Sequence, residues 1–258
     1  MVITSTQNPR IKNLLLLQEK SKARREQGLF VVEGRRELEH CIEAGYTVRT
    51  VFVCPEIGGG VILSEVEESL VIEITEQVYR KVAYRESTEG IIAEVECKSL
   101  TLEDLRLPEN PLIMVLESVE KPGNLGAVLR SADAAGADAV LICDPLTDLY
   151  NPNLIRASIG AIFTVPTVAC SSADAIAFLQ ERGIQILTAQ LQDSSLYYDV
   201  DMRRGTALVM GTESTGLTSA WRKAASAHIR IPMLGRLDSL NVSVSAAILL
   251  FEVVRQRQ

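Results

Sequence analysis

The second half of the chain alternates short apolar runs with helical patterns, and this alternation constrains the fold more than any other feature. Strands are predicted at 112–116, 139–143, 185–189 and 207–210, and helices at 125–135, 153–161, 173–182 and 240–255. Successive parallel strands are joined by crossovers, usually helices, that pack on the faces of the sheet. We therefore predict an α/β fold in which a parallel sheet is covered on both faces.

Three polar, glycine-containing segments interrupt this apolar half. They begin at Glu117, Met210 and Ile231, and they read ESVEKPGNLGAVLR, MGTESTGL and IPMLGRLDSLNVSVS. Each segment follows or lies near a strand-like run. In open α/β sheets, ligands bind where loops leave the carboxyl ends of such strands. We expect the three segments to converge on one pocket.

In this order, the three segments resemble the signature motifs of the SpoU (TrmH-type) RNA ribose methyltransferases, which belong to the knotted SPOUT superfamily. The resemblance covers roughly residues 112–258, and its specificity lies in the set of three. It implies a methyltransferase domain with a trefoil knot, a rare feature that composition does not predict. Family members often carry glycine directly after the glutamate of the second motif, where this chain has Ser214.

The resemblance also implies a cofactor, S-adenosylmethionine, held mainly by main-chain groups of three loops. The corresponding residues are Thr188, Ala189, Gln190, Met210, Gly211, Glu213, Ile231, Met233 and Leu240. Ile231 and Leu240 suit an adenine slot, because such slots combine apolar walls with backbone donors. Neither G-x-G-x-x-G nor G-x-x-x-x-G-K-[ST] occurs in the chain, which argues against dinucleotide and P-loop sites.

Arg130 is the catalytic arginine by the resemblance, and Asn124 orients it or the RNA. Arg130 stands beside Val128, Leu129 and Ala132. A lone buried charge is costly, so we expect the guanidinium to need an acidic partner or a ligand phosphate. From its position, Asn124 is expected to cap the helix that follows.

The other catalytic candidates are Glu213, Ser239 and Asn241. Glu213 is expected to pair with Arg130, to cap the next helix or to contact the substrate. By the resemblance, Ser239 and Asn241 help to position the substrate.

The 2′-hydroxyl that attacks the methyl group must lose a proton. The chain has two histidines, His40 and His228, and both lie outside the motifs, which argues against a histidine base. Arg130 is the proposed base in relatives, but an arginine pKa above about 12 makes its deprotonation costly. We favour a mechanism in which Arg130 clamps an RNA phosphate and polarises the hydroxyl, while proximity to the methyl group supplies most of the rate.

The first hundred residues mix helical and strand patterns. Helical spacing covers 8–17 and 35–44, and strands are predicted at 48–53 and 70–74, with a glycine-bounded strand at 28–34. This region is similar to the substrate-binding domain often fused to SpoU methyltransferases, which has a ribosomal-protein-like fold and recognises structured RNA. The phosphate contacts implied by this similarity are Lys12, Arg24, Arg25 and Arg35.

A polar stretch with two prolines, residues 98–111, lacks a steady period and is expected to connect the two regions. The predicted organisation is therefore an RNA-binding domain at 1–97, a linker at 98–111 and a methyltransferase domain at 112–258.

The net charge of −7 argues against a protein that simply coats nucleic acid. However, the first 36 residues hold eight basic and three acidic side chains, so a basic arm precedes an acidic body. Five cysteines without C-x-x-C spacing favour reduced thiols in a cytoplasmic protein over disulfides or a metal site. We expect neither a signal peptide nor a membrane span.

The last predicted helix, 240–255, is apolar around more of its circumference than one core contact needs. We expect a homodimer built through the C-terminal domain, which is how relatives of this family pair.

Two further functions stay open. One is an RNA-binding ribosome-assembly factor that binds the cofactor without turnover, and the other is a ribose methyltransferase acting on transfer RNA rather than ribosomal RNA. An unrelated metabolic enzyme would require all three motifs to be coincidental. Retention of the five catalytic candidates favours an active enzyme.

Overall fold

A computed structural model describes residues 2–58, 65–84, 89–212 and 215–258 of the 258-residue chain. Glu213 and Ser214 of the second motif lie outside the described residues. Among the described residues, no helix combines the length and the apolar character that a membrane crossing requires.

The described residues form twelve strands, ten helices and several short 3-10 turns. The strands, in chain order, are β1 (Val2–Ile3), β2 (Leu29–Glu33), β3 (Val48–Val53), β4 (Val71–Ile74), β5 (Ile91–Glu96), β6 (Leu112–Glu117), β7 (Ala139–Cys143), β8 (Thr167–Cys170), β9 (Gln185–Ala189), β10 (Ser195–Leu196), β11 (Thr206–Met210) and β12 (Ala227–Arg230). The helices are α1 (Pro9–Glu19), α2 (Ser21–Gln27), α3 (Arg35–Glu43), α4 (Glu76–Val82), α5 (Pro122–Ala134), α6 (Pro152–Ser158), α7 (Ala161–Thr164), α8 (Ser172–Glu181), α9 (Ser219–Ala224) and α10 (Val242–Arg257).

The chain folds into two compact units. The first comprises Met1–Lys98 and Asp148–Thr164, and the second comprises Ser99–Thr147 and Val165–Gln258. The polar stretch predicted as a linker begins at the end of the first unit and continues in the second. In the second unit Leu102 is buried in the core, and Leu105 and Leu107 pack against it.

The second unit contains a seven-stranded sheet in the order β10-β12-β9-β11-β6-β7-β8. Every neighbouring pair of these strands is parallel, which confirms the predicted parallel α/β fold. Ile113 and Val115 of β6 pack in one core cluster with Trp221 of α9 and Phe178 of α8. Alternate residues of a strand point to opposite faces, and α5 and α10 pack together, with α5 against β7 and α10 against β6 and β11. Helices therefore cover both faces of the sheet.

The helix after β6 begins earlier than predicted. Its first residue is Pro122, its N-cap is Lys121, and Asn124 lies within the first turn. The expectation that Asn124 caps this helix is therefore wrong. Proline is well suited to the first helical position because its missing N–H would have no partner there, and this moves the start ahead of Asn124.

The helix predicted at 153–161 is interrupted. Its first part, α6, ends at Ser158, and Ile159 adopts a left-handed backbone with φ of 53° before α7 begins at Ala161. Gly160 has φ of 85°, and a Cβ at this position would lie 2.9 Å from the His40 ring. A glycine is therefore required at this close approach, and the helix cannot run through it.

The first unit is built on a mixed five-stranded sheet in the order β1-β4-β3-β5-β2. Strand β5 pairs antiparallel with β2 and β3, whereas β4 pairs parallel with β1 and β3. Ile11, Leu14 and Leu17 recur at helical spacing on α1 and are fully buried. They pack in one core cluster with Phe52 and Ile92 of the sheet.

Residues 148–164 join the first unit through aromatic and polar contacts. Phe30 of β2 stacks on Tyr150 with ring centroids 4.3 Å apart and also contacts Phe163. The Arg24 Nε donates to Asp148 Oδ2 over 2.7 Å. This segment comes from the motif-bearing half of the sequence, yet it is held by the N-terminal sheet.

Candidate active site

A cavity of about 340 Å³ opens in the second unit, and the residues that follow β9, β11 and β12 line it. The segments that surround it are 189–192, 210–212, 216–217, 229–233 and 238–245. Ligand pockets in proteins typically measure about 300–1,000 Å³, so the volume suits a small organic molecule. It also lies where a parallel sheet is expected to bind ligands.

Most of the residues predicted to bind a cofactor lie around this cavity. Its lining includes seven of the nine candidates, namely Ala189, Gln190, Met210, Gly211, Ile231, Met233 and Leu240. Glu213 lies outside the described residues. Among the catalytic candidates, Ser239 lines the cavity.

Thr188 does not belong to the cavity lining, so its contact with the cofactor stays a prediction that involves its main chain. Its side chain is fully buried in β9, and its Oγ1 shares a hydrogen bond of 2.6 Å with His228 Nδ1 on β12. Side chains alternate along a strand, so Thr188 points away from the lining while Ala189 reaches it.

The second motif closes on itself through its glycines. The Gly216 N–H donates to the Thr212 carbonyl over 3.0 Å, and the Thr215 N–H donates to Thr212 Oγ1 over 3.0 Å. A Cβ at Gly211 would lie 2.4 Å from the carbonyl carbon and oxygen of Gly216. Gly216 itself has φ of 66°, a backbone conformation that favours glycine. The glycines therefore allow the loop to fold tightly beside the cavity.

The first and third motifs meet through two amides. Asn241 Nδ2 donates to Asn124 Oδ1 over 3.2 Å, and the helices that begin near these residues, α10 and α5, pack together. Asn241 is the N-cap of α10, and its Oδ1 accepts from the Ser243 N–H and the Ser243 hydroxyl. The two predicted asparagines are thus held in one polar cluster.

Arg130 lies on α5, and its side chain is exposed rather than buried. Val128, Leu129 and Ala132 take the buried face of the helix, and the rotation of about 100° per residue turns Arg130 outward. The expectation of a buried guanidinium that requires a partner is therefore wrong. In the described part of the chain Arg130 forms no ion pair and does not line the cavity.

The cavity holds one buried acceptor whose need for a donor is unmet. Gln190 Oε1 has no hydrogen-bond partner among the described residues, although the Nε2 of the same side chain donates to the Gln192 carbonyl. A buried carbonyl oxygen without a donor costs free energy. A ligand that carries an N–H group would satisfy it.

Two arginines that the sequence analysis missed, Arg222 and Arg230, also line the cavity. Arg222 belongs to α9, and the Nη1 of Arg230 donates to Ser194 Oγ over 3.4 Å. Both can pair with a ligand carboxylate. Neither stands in a recognisable motif, so only the place of β12 in the sheet and of α9 beside the cavity could reveal them.

A buried glutamate is the other residue that the sequence analysis left without a role. Glu117 closes β6 with only 2% of its surface exposed. Its carboxylate accepts from the N–H and from the hydroxyl of Thr218, over 2.8 and 2.7 Å. An acidic residue directly after a long apolar run was the available signal.

The predicted RNA contacts of the first unit differ in their exposure. Lys12 and Arg25 are exposed, and Arg35 is partly exposed beside Glu39, 2.9 Å away. Arg24 has only 3% of its surface exposed, and besides Asp148 it donates to the carbonyls of Leu17 and Gln18. Its prediction as a phosphate contact is not supported, because the side chain is buried and its Nε and Nη1 donate within the unit.

The thiols of the chain take no part in this cavity. All five cysteines are free, and burial raises the pKa of Cys41 to about 12. Within the described ranges, no group of three or more histidine, cysteine or acidic side chains is placed to hold a metal ion.

These features define an α/β enzyme-like domain with a ligand cavity at its sheet edge, and comparison with known proteins gives its family. The model of the SpoU rRNA Methylase family matches residues 111–251, and that of the MRM3-like substrate binding domain matches residues 8–93. The chain belongs to the SpoU rRNA methylase family, which confirms the resemblance seen in the sequence.

Similar proteins align along the whole chain. The 23S rRNA (guanosine(2553)-2'-O)-methyltransferase RlmP of Bacillus subtilis is 28% identical over 97% of this chain and 98% of its own length. The crystal structure of an RNA 2'-O ribose methyltransferase is 41% identical, with a TM-score of 0.84, and covers 100% of this chain and 99% of its own. The AdoMet-bound rRNA methyltransferase of Sinorhizobium meliloti is 29% identical, with a TM-score of 0.89, and covers 99% of this chain and 97% of its own.

The closure of the second motif gives a testable prediction. Gly211→Ala should lower the free energy of unfolding by about 1–3 kcal/mol, the range for overpacking, because the new Cβ meets backbone rather than a movable side chain. Gly235→Ala is the matched control, since nothing lies within 4 Å of its Cβ position. Urea denaturation followed by circular dichroism measures both variants. Equal stability of Gly211→Ala and Gly235→Ala would contradict the proposed closure.

Proposed function

We propose that this protein is a methyltransferase that transfers a methyl group from S-adenosylmethionine to a ribose 2′-hydroxyl of ribosomal RNA. The observation that carries the proposal is the convergence of the loops after β9, β11 and β12 on one cavity, in a chain of the SpoU rRNA methylase family. RlmP is named as a 23S rRNA methyltransferase and the Sinorhizobium meliloti protein as an rRNA methyltransferase, so ribosomal RNA is favoured over transfer RNA.

The residues around the cavity fit S-adenosylmethionine. Ile231 and Leu240 supply apolar walls for the adenine ring, and Gln190 Oε1 offers an acceptor to an amino group. Arg222 and Arg230 are available to the methionine carboxylate. The AdoMet-bound relative from Sinorhizobium meliloti supports the same cofactor here.

The cofactor supplies an electrophilic methyl group on a sulfonium sulfur. The exposed guanidinium of Arg130 is free to hold an RNA phosphate and to donate a hydrogen bond to the 2′-oxygen. The role of the Asn124–Asn241 pair is to fix the start of α5, and Ser239 presents its hydroxyl at the cavity. Positioning of the oxygen against the methyl group then supplies most of the rate, and the hydroxyl proton passes to water. Direct deprotonation by Arg130 is the alternative mechanism.

Binding of the RNA is assigned to the first unit. The match to the MRM3-like substrate binding domain at residues 8–93 supports this assignment. Lys12, Arg25 and Arg35 remain the proposed phosphate contacts, because their side chains reach solvent. Such contacts position an RNA without reading its sequence. An assembly factor without turnover is not favoured, because the similar proteins are named as methyltransferases.

A trefoil knot in the second unit is part of the proposal. In the sheet, β9 lies between β12 and β11. The helix that follows β12, α10, nevertheless packs against α5, β6 and β11, on the other side of β9. The chain after β12 must therefore return past the second motif. We infer that it threads through a loop of the chain as it does so.

The free thiols and the proposed RNA substrate support a cytoplasmic location.

Arg130 provides the test of the proposed reaction. Arg130→Ala and Arg130→Lys should each reduce methyl transfer to ribosomal RNA by at least about 100-fold, because neither retains the planar donor fork. S-adenosylmethionine affinity should change only a few-fold, since Arg130 does not line the cavity. Radiolabelled methyl transfer, mapping of 2′-O-methylation and calorimetry measure these effects.

Arg203→Ala is the matched control for Arg130, because Arg203 pairs with Asp201 on the surface of the same unit. It should leave methyl transfer unchanged. Near-normal turnover of Arg130→Lys would show that a point charge suffices and would contradict the clamping mechanism. Failure of the unaltered protein to methylate ribosomal RNA would contradict the function itself.

We also propose a homodimer that forms through α10. Val242, Ala246, Leu249, Leu250 and Val253 bury one face of this helix within the chain. A second apolar face remains open, with Val244 and Phe251 each 47% exposed and in line with Ile248 between them. Residues three and four apart share a helix face, so this stripe is suited to a second copy of the helix.

Light scattering tests the dimer. The protein at micromolar concentration should have twice the chain mass of 28.2 kDa, and Phe251→Asp should shift it to the single-chain mass. Leu234→Asp is the matched control, since Leu234 is 96% exposed and lies outside α10, in the loop that precedes it. A species of 28.2 kDa for the unaltered protein would refute the dimer.

A further inference from the structure

The carboxylate of Glu117 grips a single residue with both of its oxygens. Oε2 accepts from the Thr218 N–H over 2.8 Å, and Oε1 accepts from the Thr218 hydroxyl over 2.7 Å. The glutamate is buried at the end of β6, whereas Thr218 lies 101 residues further along the chain at the start of α9. We call this pair of hydrogen bonds the Glu117–Thr218 clasp.

Thr218 directly follows the loop of the second motif. Five residues of that segment line the cavity: Met210, Gly211, Thr212, Gly216 and Leu217. In its described residues the loop contains two glycines, Gly211 and Gly216, and is held internally by the exposed hydroxyls of Thr212 and Thr215. Its carboxyl end is fixed by the packing of Leu217 in the core and by the hydrogen bonds that hold Thr218.

The clasp is supported from behind by buried groups. Ser172 Oγ donates to Asp144 Oδ2 over 2.6 Å and accepts from the indole N–H of the fully buried Trp221 over 2.9 Å. The same oxygen lies 3.4 Å from Glu117 Oε1. A serine hydroxyl can donate one hydrogen bond, and Ser172 donates it to the nearer acceptor, Asp144. The strong donors to Glu117 therefore come from Thr218.

We propose that Glu117 is a positioning residue for cofactor binding, acting through Thr218 to hold the second-motif loop in the shape that lines the cavity. Burial of a carboxylate costs free energy unless the group is hydrogen-bonded. Both oxygens of Glu117 accept hydrogen bonds from Thr218, the residue that follows the loop. Glu117 does not itself line the cavity. Its effect on the reaction is thus confined to the binding of S-adenosylmethionine, and the inference rests on the function proposed above.

Replacement of Glu117 separates this role from turnover. Glu117→Ala should raise the Kd and the KM for S-adenosylmethionine by about tenfold, comparable to the loss of a hydrogen bond to a charged group. The kcat at saturating cofactor should stay within about threefold, because no reacting group is removed. Glu117→Gln should bind the cofactor nearly as well as the unaltered protein, since its amide oxygen accepts the Thr218 N–H and its amide nitrogen donates to the hydroxyl.

Asp138→Ala is the matched control for stability. Asp138 Oδ2 accepts from the Leu112 N–H over 2.7 Å, so it makes the same kind of bond at the opposite end of β6. Its loss should lower the unfolding midpoint without changing the Kd for S-adenosylmethionine. Calorimetry and thermal unfolding of the full-length variants give both quantities.

The outcomes distinguish failure of the proposed role of Glu117 from failure of the proposed function. If the unaltered protein does not bind S-adenosylmethionine, the proposed function fails. If it binds, and Glu117→Ala loses stability but keeps the same Kd, as Asp138→Ala should, Glu117 is purely structural and the inference is overturned. Should Glu117→Ala fail to fold, Thr218→Val removes only the hydroxyl bond. A several-fold rise in its Kd supports the clasp, and an unchanged Kd overturns it.

Discussion

Parallel pairing of seven strands is the constraint on which the rest of the second unit depends. It brings the carboxyl ends of β9, β11 and β12 to one edge, although 37 residues of sequence, 190–226, separate the first of these strands from the last. Helices on both faces bury β6, β7 and β11 almost completely, so the groups that a ligand can reach lie mainly in the loops at the edge. The cavity forms where those loops meet. The position of the cavity is therefore a consequence of strand direction, and residues of the second and third motifs supply much of its lining.

Backbone geometry, more than side-chain charge, shapes this cavity. Gly211 permits the second motif to fold against Gly216, and Glu117 fixes the end of the same loop by gripping Thr218. The Asn124–Asn241 hydrogen bond joins the first motif to the third. These contacts link elements far apart in sequence. A cofactor held mainly by main-chain groups needs such anchors, because small shifts of backbone donors weaken hydrogen bonds steeply.

Local patterns in the sequence predicted much of this architecture, and non-local contacts explain where they failed. Continuous apolar runs located Ala139–Cys143 and Gln185–Ala189 correctly, and the glycine-rich motifs located most of the cavity lining. The burial of Arg130 was predicted wrongly because the apolar residues near it in sequence lie on the buried face of α5, whereas Arg130 lies on the exposed face. Arg24 is buried by Asp148, 124 residues away, and no periodicity reports such a partner. Short or unremarkable strands such as β8 and β10 owe their pairing to the sheet that surrounds them.

The central claim is that the cavity beside the second motif binds S-adenosylmethionine. Isothermal titration of the unaltered protein with S-adenosylmethionine, its demethylated product, NAD and ATP tests this claim most directly. We predict micromolar or tighter binding of the first two compounds, competition between them for one site per chain, and no binding of NAD or ATP. Preferential binding of NAD would contradict the account, because the chain has no dinucleotide-binding glycine motif and its cavity would then serve another chemistry.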